Sequence, residues 1–312
     1  MKFIYKVLIV LVSIFIIDRG VGIVGDYIIN KLNEDNYVGD AALLNYSLNK
    51  VTSDIIIVGS STALCHYSPQ ILSDSLTTYT GESLSAFNAG ASTQGMAYAY
   101  ALVNSVVDRK PPKFIVLDLQ PQFLTYGFTK EQKSTLRAYY GFNNYITQVF
   151  DTHTEGIDKC LLRSNLYRLN TTFVRLLLSF LKPKGSDGFY SHDGSLEEVP
   201  SQVIEKLPPA FNKLSVDEFK RIVEKCKANN IQLIVASSPY LNHQYENADI
   251  YDKVTNLCEE CGVPFINMES DSMFQKKELF FDQRHLNVDG ADAFSQELCV
   301  RLKPILVKTN IE

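Results

Sequence analysis

Apolar residues along the chain fall into five short runs separated by stretches of helical spacing. Residues 54–58 (Asp54, Ile55, Ile56, Ile57, Val58) form the first, ended by Gly59; residues 84–87 are a weaker second, 113–117 a clear third, 231–236 a fourth and 264–267 a fifth. Runs as continuous as Ile55, Ile56, Ile57 and Val58 suit strands covered on both faces, as in a parallel sheet. Between the runs, 216–229 and 249–261 place apolar residues at helical spacing against charged opposite faces, and 290–302 does the same after the last run. This alternation predicts a doubly wound α/β sandwich.

Two stretches depart from the pattern. Residues 120–215 far exceed an ordinary connection. They hold an aromatic loop (139–145), an apolar helical segment (161–181) with Arg163, Arg168 and Arg175, and a loop rich in Gly, Ser and Asp (185–194). An insertion after the third strand is placed to overhang the carboxyl ends of the strands, where open α/β sheets bind ligands. The 120–215 segment is therefore expected to be a substrate-selecting cap; helices that only pad the fold are the alternative for any single residue in it.

The second departure is the N-terminus, where Lys2 and Lys6 precede an uncharged run over 7–17, Asp18 and Arg19 interrupt, and 20–25 is again uncharged. The run over 7–17 is too short to cross a bilayer unaided, but 3–24 suffices with Lys6 snorkelling to one interface and Asp18 and Arg19 near the other. No Ala-x-Ala-like cleavage site follows. The expectation is a transmembrane signal anchor over 1–30, a single pass with a cytoplasmic N-terminus and an extracytoplasmic domain over 50–312. A buried amphipathic helix of a soluble protein is the alternative.

With 312 residues, 46% of them hydrophobic, the chain has material for a substantial core. Its formal net charge is -5 and no Lys/Arg block tracks a phosphate backbone, so nucleic acid is excluded as a partner. Six cysteines are scattered, and Cys258 and Cys261 make a lone C-x-x-C with neither a second pair nor histidines at ligand spacing. They read as packing cysteines or a local disulfide, and neither a metal nor a cofactor is expected.

Three short segments carry chemistry. A serine becomes a nucleophile only beside an imidazole base, with a carboxylate to orient that base and donors for the oxyanion. Gly59, Ser60, Ser61 and Thr62 follow the first strand and put a hydroxyl at the carboxyl end of the sheet; Ser and Thr are also ordinary helix N-caps. Asn88, Ala89, Gly90 and Ala91 follow the second strand, with a glycine that lets a backbone amide approach a ligand. Asp282, three residues ahead of His285 and just before the last helix, is spaced to hold one ring nitrogen and leave the other free. Ser92 lacks the Gly-x-Ser-x-Gly spacing of a nucleophile elbow. His66 reads as a surface or capping histidine.

The order and contexts of these segments resemble the SGNH/GDSL hydrolase superfamily, over most of the chain after about Ser53. Gly59-Ser60-Ser61 is similar to the family's Gly-Asp-Ser block, Asn88-Ala89-Gly90 to the block that supplies an oxyanion amide, and Asp282-x-x-His285 to the closing block. The resemblance implies a flavodoxin-like SGNH fold, a three-layer α/β/α sandwich with a five-stranded parallel sheet. It also implies Ser61, His285 and Asp282 as a catalytic triad, with the Ser61 and Gly90 amides as the oxyanion hole. Where many members carry Gly-x-Asn-Asp after the third strand, this chain has Leu117, Asp118, Leu119, Gln120 and Pro121, so the oxyanion Asn has no match; Gln120, Asn143 and Asn144 are the candidate replacements.

That loss, with the N-terminal anchor, is similar to the membrane-anchored, cell-envelope branch of acyltransferases and esterases. The implied activity is that of a serine esterase or O-acyltransferase on acyl esters of envelope or extracellular polysaccharide, with an acyl ester or glycan as substrate and a membrane-bound O-acyltransferase as a possible partner. The alternative is an inactive scaffold of the same fold that binds glycan or such a partner.

Overall fold

The computed structural model describes residues 2–32, 40–179, 181 and 187–309. The chain divides into two compact units, Met1–Lys50 with Lys130–Gly185, and Val51–Thr129 with Ser186–Glu312.

The second unit is a mixed α/β structure around a five-stranded parallel sheet. Its strands are β1 (Ile55–Val58), β2 (Ala86–Asn88), β3 (Phe114–Asp118), β5 (Gln232–Ser237) and β7 (Phe265–Asn267), in the order β2-β1-β3-β5-β7. All five lie within a residue or two of the runs that predicted them. Every neighbouring pair is parallel, with Ile55 opposite both Ala86 and Phe114, and Val116 opposite Ile234. Such a sheet is buried on both sides, and every residue of β1 and β3 is buried.

Alternation sorts the strand side chains between two layers. Ile55, Ile57, Phe114, Val116, Ile234 and Ala236 enter a core shared with Tyr67, Leu72, Leu76, Phe294, Leu298 and Leu302. Those partners come from helix α4 (Pro69–Thr80), from Tyr67 between it and α3 (Ser61–His66), and from the last helix, Val288–Thr309. Ile56, Val58, Ile115 and Leu117 are equally buried and point the other way, toward the side covered by α5 (Met96–Arg109) and the helix Lys213–Ala228.

A second sheet had no counterpart in the sequence reading. β4 (Val203–Glu205) and β6 (His243–Tyr245) pair in parallel over three residues each. Strands that short leave no period to detect.

The first unit holds α1 (Lys2–Leu32), α2 (Asp40–Asn49) and the helices of 130–179. α1 is long and apolar enough to cross a membrane by length and composition, with most of its apolar side chains exposed. Its second half packs on the helix Asn165–Ser179. Asp18 Oδ1 accepts from the Ser164 hydroxyl at 2.6 Å and the Leu166 amide at 2.9 Å, and buried Arg168 pairs with Asp26 at 2.6 Å while donating to the Ala138 carbonyl at 2.7 Å. The segment expected as one cap, 120–215, is therefore shared: 130–185 groups with α1, and 120–129 and 186–215 with the sheet. Of the 185–194 loop, 187–194 are described and 185 and 186 lie outside the described residues. All six cysteines are free, and burial pushes the Cys258 thiol up to about 12, which suits packing rather than a local disulfide.

Phe294 stands at the junction of the last helix with α3, its ring edge-on to Tyr67 at 4.8 Å and to Phe274 at 5.9 Å, and it is fully buried. Phe294→Ala should cost about 3–5 kcal/mol of stability, as large-to-small changes in cores do. Urea unfolding of the purified chain measures this, and a loss below about 1 kcal/mol would contradict the packing described.

Candidate active site

Ser61 is the first residue of α3, two positions past the glycine that ends β1. Gly59 is required by space: a Cβ there would lie 2.6 Å from the Ala63 Cβ and 3.0 Å from that of Asp118. The turn is fastened from below by Asp118, a fully buried carboxylate at the end of β3. It accepts from the Thr62 hydroxyl, from the Tyr67 hydroxyl at 2.8 Å and from the Ser238 amide at 3.1 Å. Burial pushes the Asp118 carboxyl up, against those hydrogen bonds. Its bonds to the residue beside Ser61 and to the start of the β5 loop tie three strand ends to one point.

The turn after β2 lies alongside. Ala89 N–H donates to the Ile57 carbonyl at 2.9 Å and Ala91 N–H to the Gly59 carbonyl at 3.0 Å. Asn88, also fully buried, gives its amide group to the carbonyls of Ala63 at 2.7 Å and Tyr67 at 2.9 Å. Its Oδ1 accepts the Gly90 N–H at 2.9 Å. A Cβ on Gly90 would lie 2.5 Å from the Leu64 nitrogen, so the glycine is needed for close packing against α3. The expectation that the Gly90 amide is an oxyanion donor thus meets a competing acceptor that already holds it. Past Ala91, the amides of Ser92 and Thr93 have no backbone hydrogen-bond acceptor among the described residues, and Thr93 takes a left-handed φ of 64°. A residue of that kind in a sparsely populated conformation is a mark of functional turns.

Asp282 and His285 arrive on the loop before the last helix. The Asp282 carboxylate caps that loop by accepting the amides of Arg284 at 2.8 Å and His285 at 2.9 Å. The same carboxylate lies 2.9 Å from Nδ1 of the His285 ring, and Nε2 lies 2.8 Å from the Ser61 hydroxyl. With Nδ1–H facing the carboxylate, Nε2 carries its lone pair toward Ser61. Burial pushes the Asp282 carboxyl up, but hydrogen bonds from the His285 ring and from the two amides outweigh it and hold the group at about 2. It is an anion throughout the neutral range. Chemically, the arrangement supplies a hydroxyl, a base within proton-transfer distance and a fixed negative charge behind the base.

The loop that carries this pair is pinned at several points. His66, the last residue of α3 and fully buried, accepts the Leu286 amide on Nε2 at 3.0 Å. This corrects the reading of His66 as a surface or capping histidine. Burial, then the neighbouring His285, hold its pKa well below the ordinary value, so it is a neutral acceptor. Arg284 pairs with Glu205 at 2.7 Å, and Glu205 in turn faces the ring of buried His243 at 3.2 Å, whose other nitrogen is 2.9 Å from Glu269. Asn287 donates to the carbonyls of Gly194 at 2.8 Å and Glu278 at 2.7 Å.

Beside His285 stands a wall that sequence reasoning did not single out. The His192 ring stacks on Phe281 at 4.2 Å and meets Tyr190 edge-on at 5.1 Å, with its centroid 6.0 Å from that of His285. Burial, then the neighbouring His285, lower its pKa. Phe281 and Tyr190 are exposed. The only sequence signal for His192 was its being one of the chain's five histidines and lying in the Gly/Ser/Asp loop.

The candidate replacements for the missing oxyanion Asn have other duties. Gln120 is fully buried, donating to the Ser238 carbonyl at 3.2 Å and accepting from the Tyr251 hydroxyl at 3.3 Å. Asn143 caps the helix Asn144–His153 in the other unit, accepting the Tyr145 and Ile146 amides, and Asn144 is that helix's first residue.

No family model matches the sequence, and no curated protein matches it. Among solved structures, it is similar to a psychrotrophic esterase, EstA from Pseudoalteromonas sp., in a structure inhibited by monoethylphosphonate. The sequence identity is 12% and the TM-score 0.43, over 81% of this chain and 98% of that one.

His66 gives stability a testable pH dependence. A buried imidazole with a depressed pKa refuses the proton that the unfolded chain takes up below about 6.5, so stability falls as pH drops through that value, by at most about 1.4 kcal/mol per pH unit. His243 has the opposite sign: burial lowers it, Glu205 and Glu269 outweigh that, and its contribution is lost as pH rises. The His66 part is read as the difference between wild type and His66→Gln, which keeps an acceptor without titrating. Urea unfolding at about pH 7.5 and about pH 5 should show wild type losing more stability than the variant. Equal losses would mean that His66 is protonated in the fold.

Proposed function

We propose that this chain is a serine esterase or O-acyltransferase, with Ser61 as nucleophile, His285 as general base and acid, and Asp282 as the carboxylate that orients it. The observation that carries this reading is the 2.8 Å approach of the Ser61 hydroxyl to His285 Nε2, with Asp282 2.9 Å behind the ring. Hydroxyl, imidazole and anion in that order are the working parts of acyl transfer on several unrelated folds.

In the proposed reaction, His285 Nε2 takes the Ser61 proton as Oγ bonds to the ester carbonyl carbon, and the carbonyl electrons move to its oxygen. The Ser61 amide stabilises that oxyanion, joined by the Gly90 amide, which in the free chain is donated to Asn88 Oδ1. Collapse of the adduct breaks the ester bond, and the leaving alkoxide takes the proton from His285. Water or a sugar hydroxyl then gives its proton to His285 and attacks the acyl-enzyme; the adduct expels Ser61 Oγ, which recovers the proton. Asp282 stays ionised throughout.

The preferred substrate class is an acyl ester of envelope or extracellular polysaccharide. Support comes from α1, which would tether the second unit to the outer face of the membrane as a single-pass protein, where a membrane-bound O-acyltransferase would be the natural acyl source. The exposed aromatic wall of Tyr190 and Phe281 beside His285 suits a sugar ring better than a solvated small ester.

Ser61→Ala should lower kcat on p-nitrophenyl acetate by about six orders of magnitude, and Asp282→Asn by about four, without loss of fold. A fluorophosphonate probe should label wild type at Ser61 and leave Ser61→Ala unlabelled. Full activity in Ser61→Ala removes the reading, and a folded wild type inert to the probe leaves a non-catalytic scaffold that binds glycan or an acyltransferase.

A further inference from the structure

We infer that the first unit holds a binding site for a phosphate ester, in a cavity lined by Lys130, Lys133, Arg137 and Thr154. The cavity has a volume of about 440 Å³. That lies within the 300–1,000 Å³ range of sites for small molecules and is several times the size of a lone phosphate.

The case begins with spacing. Lys130 and Lys133 lie on the helix Lys130–Leu136, and Arg137 opens the turn that directly continues it. Positions three, four and seven apart share one face of a helix, so three cations and Ser134 form a single stripe along the cavity wall. Like charges at that spacing destabilise a helix unless an anion sits among them. Neither Lys130 nor Arg137 pairs with a carboxylate among the described residues, although Glu131 is on the same helix. The Arg137 guanidinium lies over the Tyr167 ring at 5.0 Å, which fixes its plane without using its donors.

An independent observation points to a ligand. Arg137 Nε and Thr154 Oγ1 are both buried and have no hydrogen-bond partner among the described residues. Thr154 is 5% exposed, and both residues line the same cavity. An unpartnered buried polar group costs about 1–3 kcal/mol, more when charged, and natural folds rarely hold two at one place without use. A guanidinium edge, the Lys130 ammonium and a hydroxyl are donors matched to phosphate oxygens, and Lys133, whose Nζ donates to the His153 carbonyl at 3.3 Å, adds positive charge to the same wall.

The rest of the lining describes the body attached to that phosphate. Asp158 offers an acceptor for a hydroxyl, and Phe150, Leu162 and Tyr167 an apolar surface. A phosphorylated polyol or sugar fits this donor and acceptor set, either free or as the headgroup of an anionic lipid.

The test uses the full chain in a phosphate-free maltoside detergent, with calorimetric titration of glycerol 3-phosphate, glycerol, and phosphatidylglycerol in mixed micelles. Glycerol 3-phosphate or phosphatidylglycerol should bind and glycerol should not. Binding of the soluble ester assigns a free metabolite-sized ligand; binding of the lipid alone assigns a headgroup. Arg137→Gln should weaken the binding at least about tenfold. Should that variant fail to fold, Lys130→Gln carries the same test, because Lys130 is exposed. Thr154→Val should weaken binding severalfold while leaving the melting temperature of the ligand-free chain unchanged or raised, since it removes an unpaired hydroxyl. A purely structural threonine would change only the melting temperature. The inference is overturned if neither phosphate compound binds, or if binding is unchanged in all three variants. Esterase activity has no part in these readings, so a failure here is separate from a failure at Ser61.

Discussion

The Leu286 amide donates to His66 Nε2 across 220 positions of sequence, and among the bonds that pin the His285 loop this buried one joins it to the helix that Ser61 opens. His66 closes the helix that Ser61 opens, while Leu286 directly follows His285. Fixing His66 to Leu286 therefore fixes the distance between the two side chains that face each other across 224 positions. The cost of leaving that amide unpaired in the interior would be about 1–3 kcal/mol, enough to let the loop drift, and a drift of 1 Å is significant for proton transfer. The bond requires a neutral ring, which full burial beside Phe294 enforces.

Much of the second unit was legible because its strands are covered on both faces. Ile55, Ile56, Ile57 and Val58 have no polar side to show, and a run of that kind has few other readings. The segments with Ser61 and with Asp282 and His285 were legible for a different reason: each pairs a reactive residue type with a turn directly beside an element end. What stayed hidden depends on contacts between distant segments. Asp118 reads as the polar end of an apolar strand, and only the arrival of Thr62, Tyr67 and Ser238 makes it the fastening of the Ser61 turn. Nothing in the local sequence at Gly90 announces that the Asn88 side chain folds back on its amide. His66 was misjudged because a single histidine at a helix end carries no mark of the buried amide it will meet.

The insertion shows the same limit at larger scale. Its length signalled something beyond a connection, yet no local pattern tells that 130–185 groups with residues 1–50 rather than with the strands on either side of it. The decisive pairs, Arg168 with Asp26 and Ser164 with Asp18, join polar residues across more than a hundred positions. In an apolar helix such as α1, these acidic residues would be expensive without partners. Their presence makes sense once the helix Asn165–Ser179 supplies donors, and the arginine spacing noted in that segment is the part of the arrangement that sequence displays.

Environment, rather than residue type, sorts the carboxylates of the second unit into roles. Asp118 and Asp282 both lie at the carboxyl edge of the sheet, and both accept three or more hydrogen bonds. Asp118 is wholly buried with only neutral donors around it, so burial prevails and its carboxyl is pushed up. Asp282 is about half exposed on its side chain and faces an imidazole, so its charge is retained and lies at about 2. Only a carboxylate that keeps its charge while a neighbouring ring gains one stabilises an imidazolium during proton transfer. Of the two, only Asp282 faces an imidazole ring, and Asp118 instead holds the Ser61 turn in place.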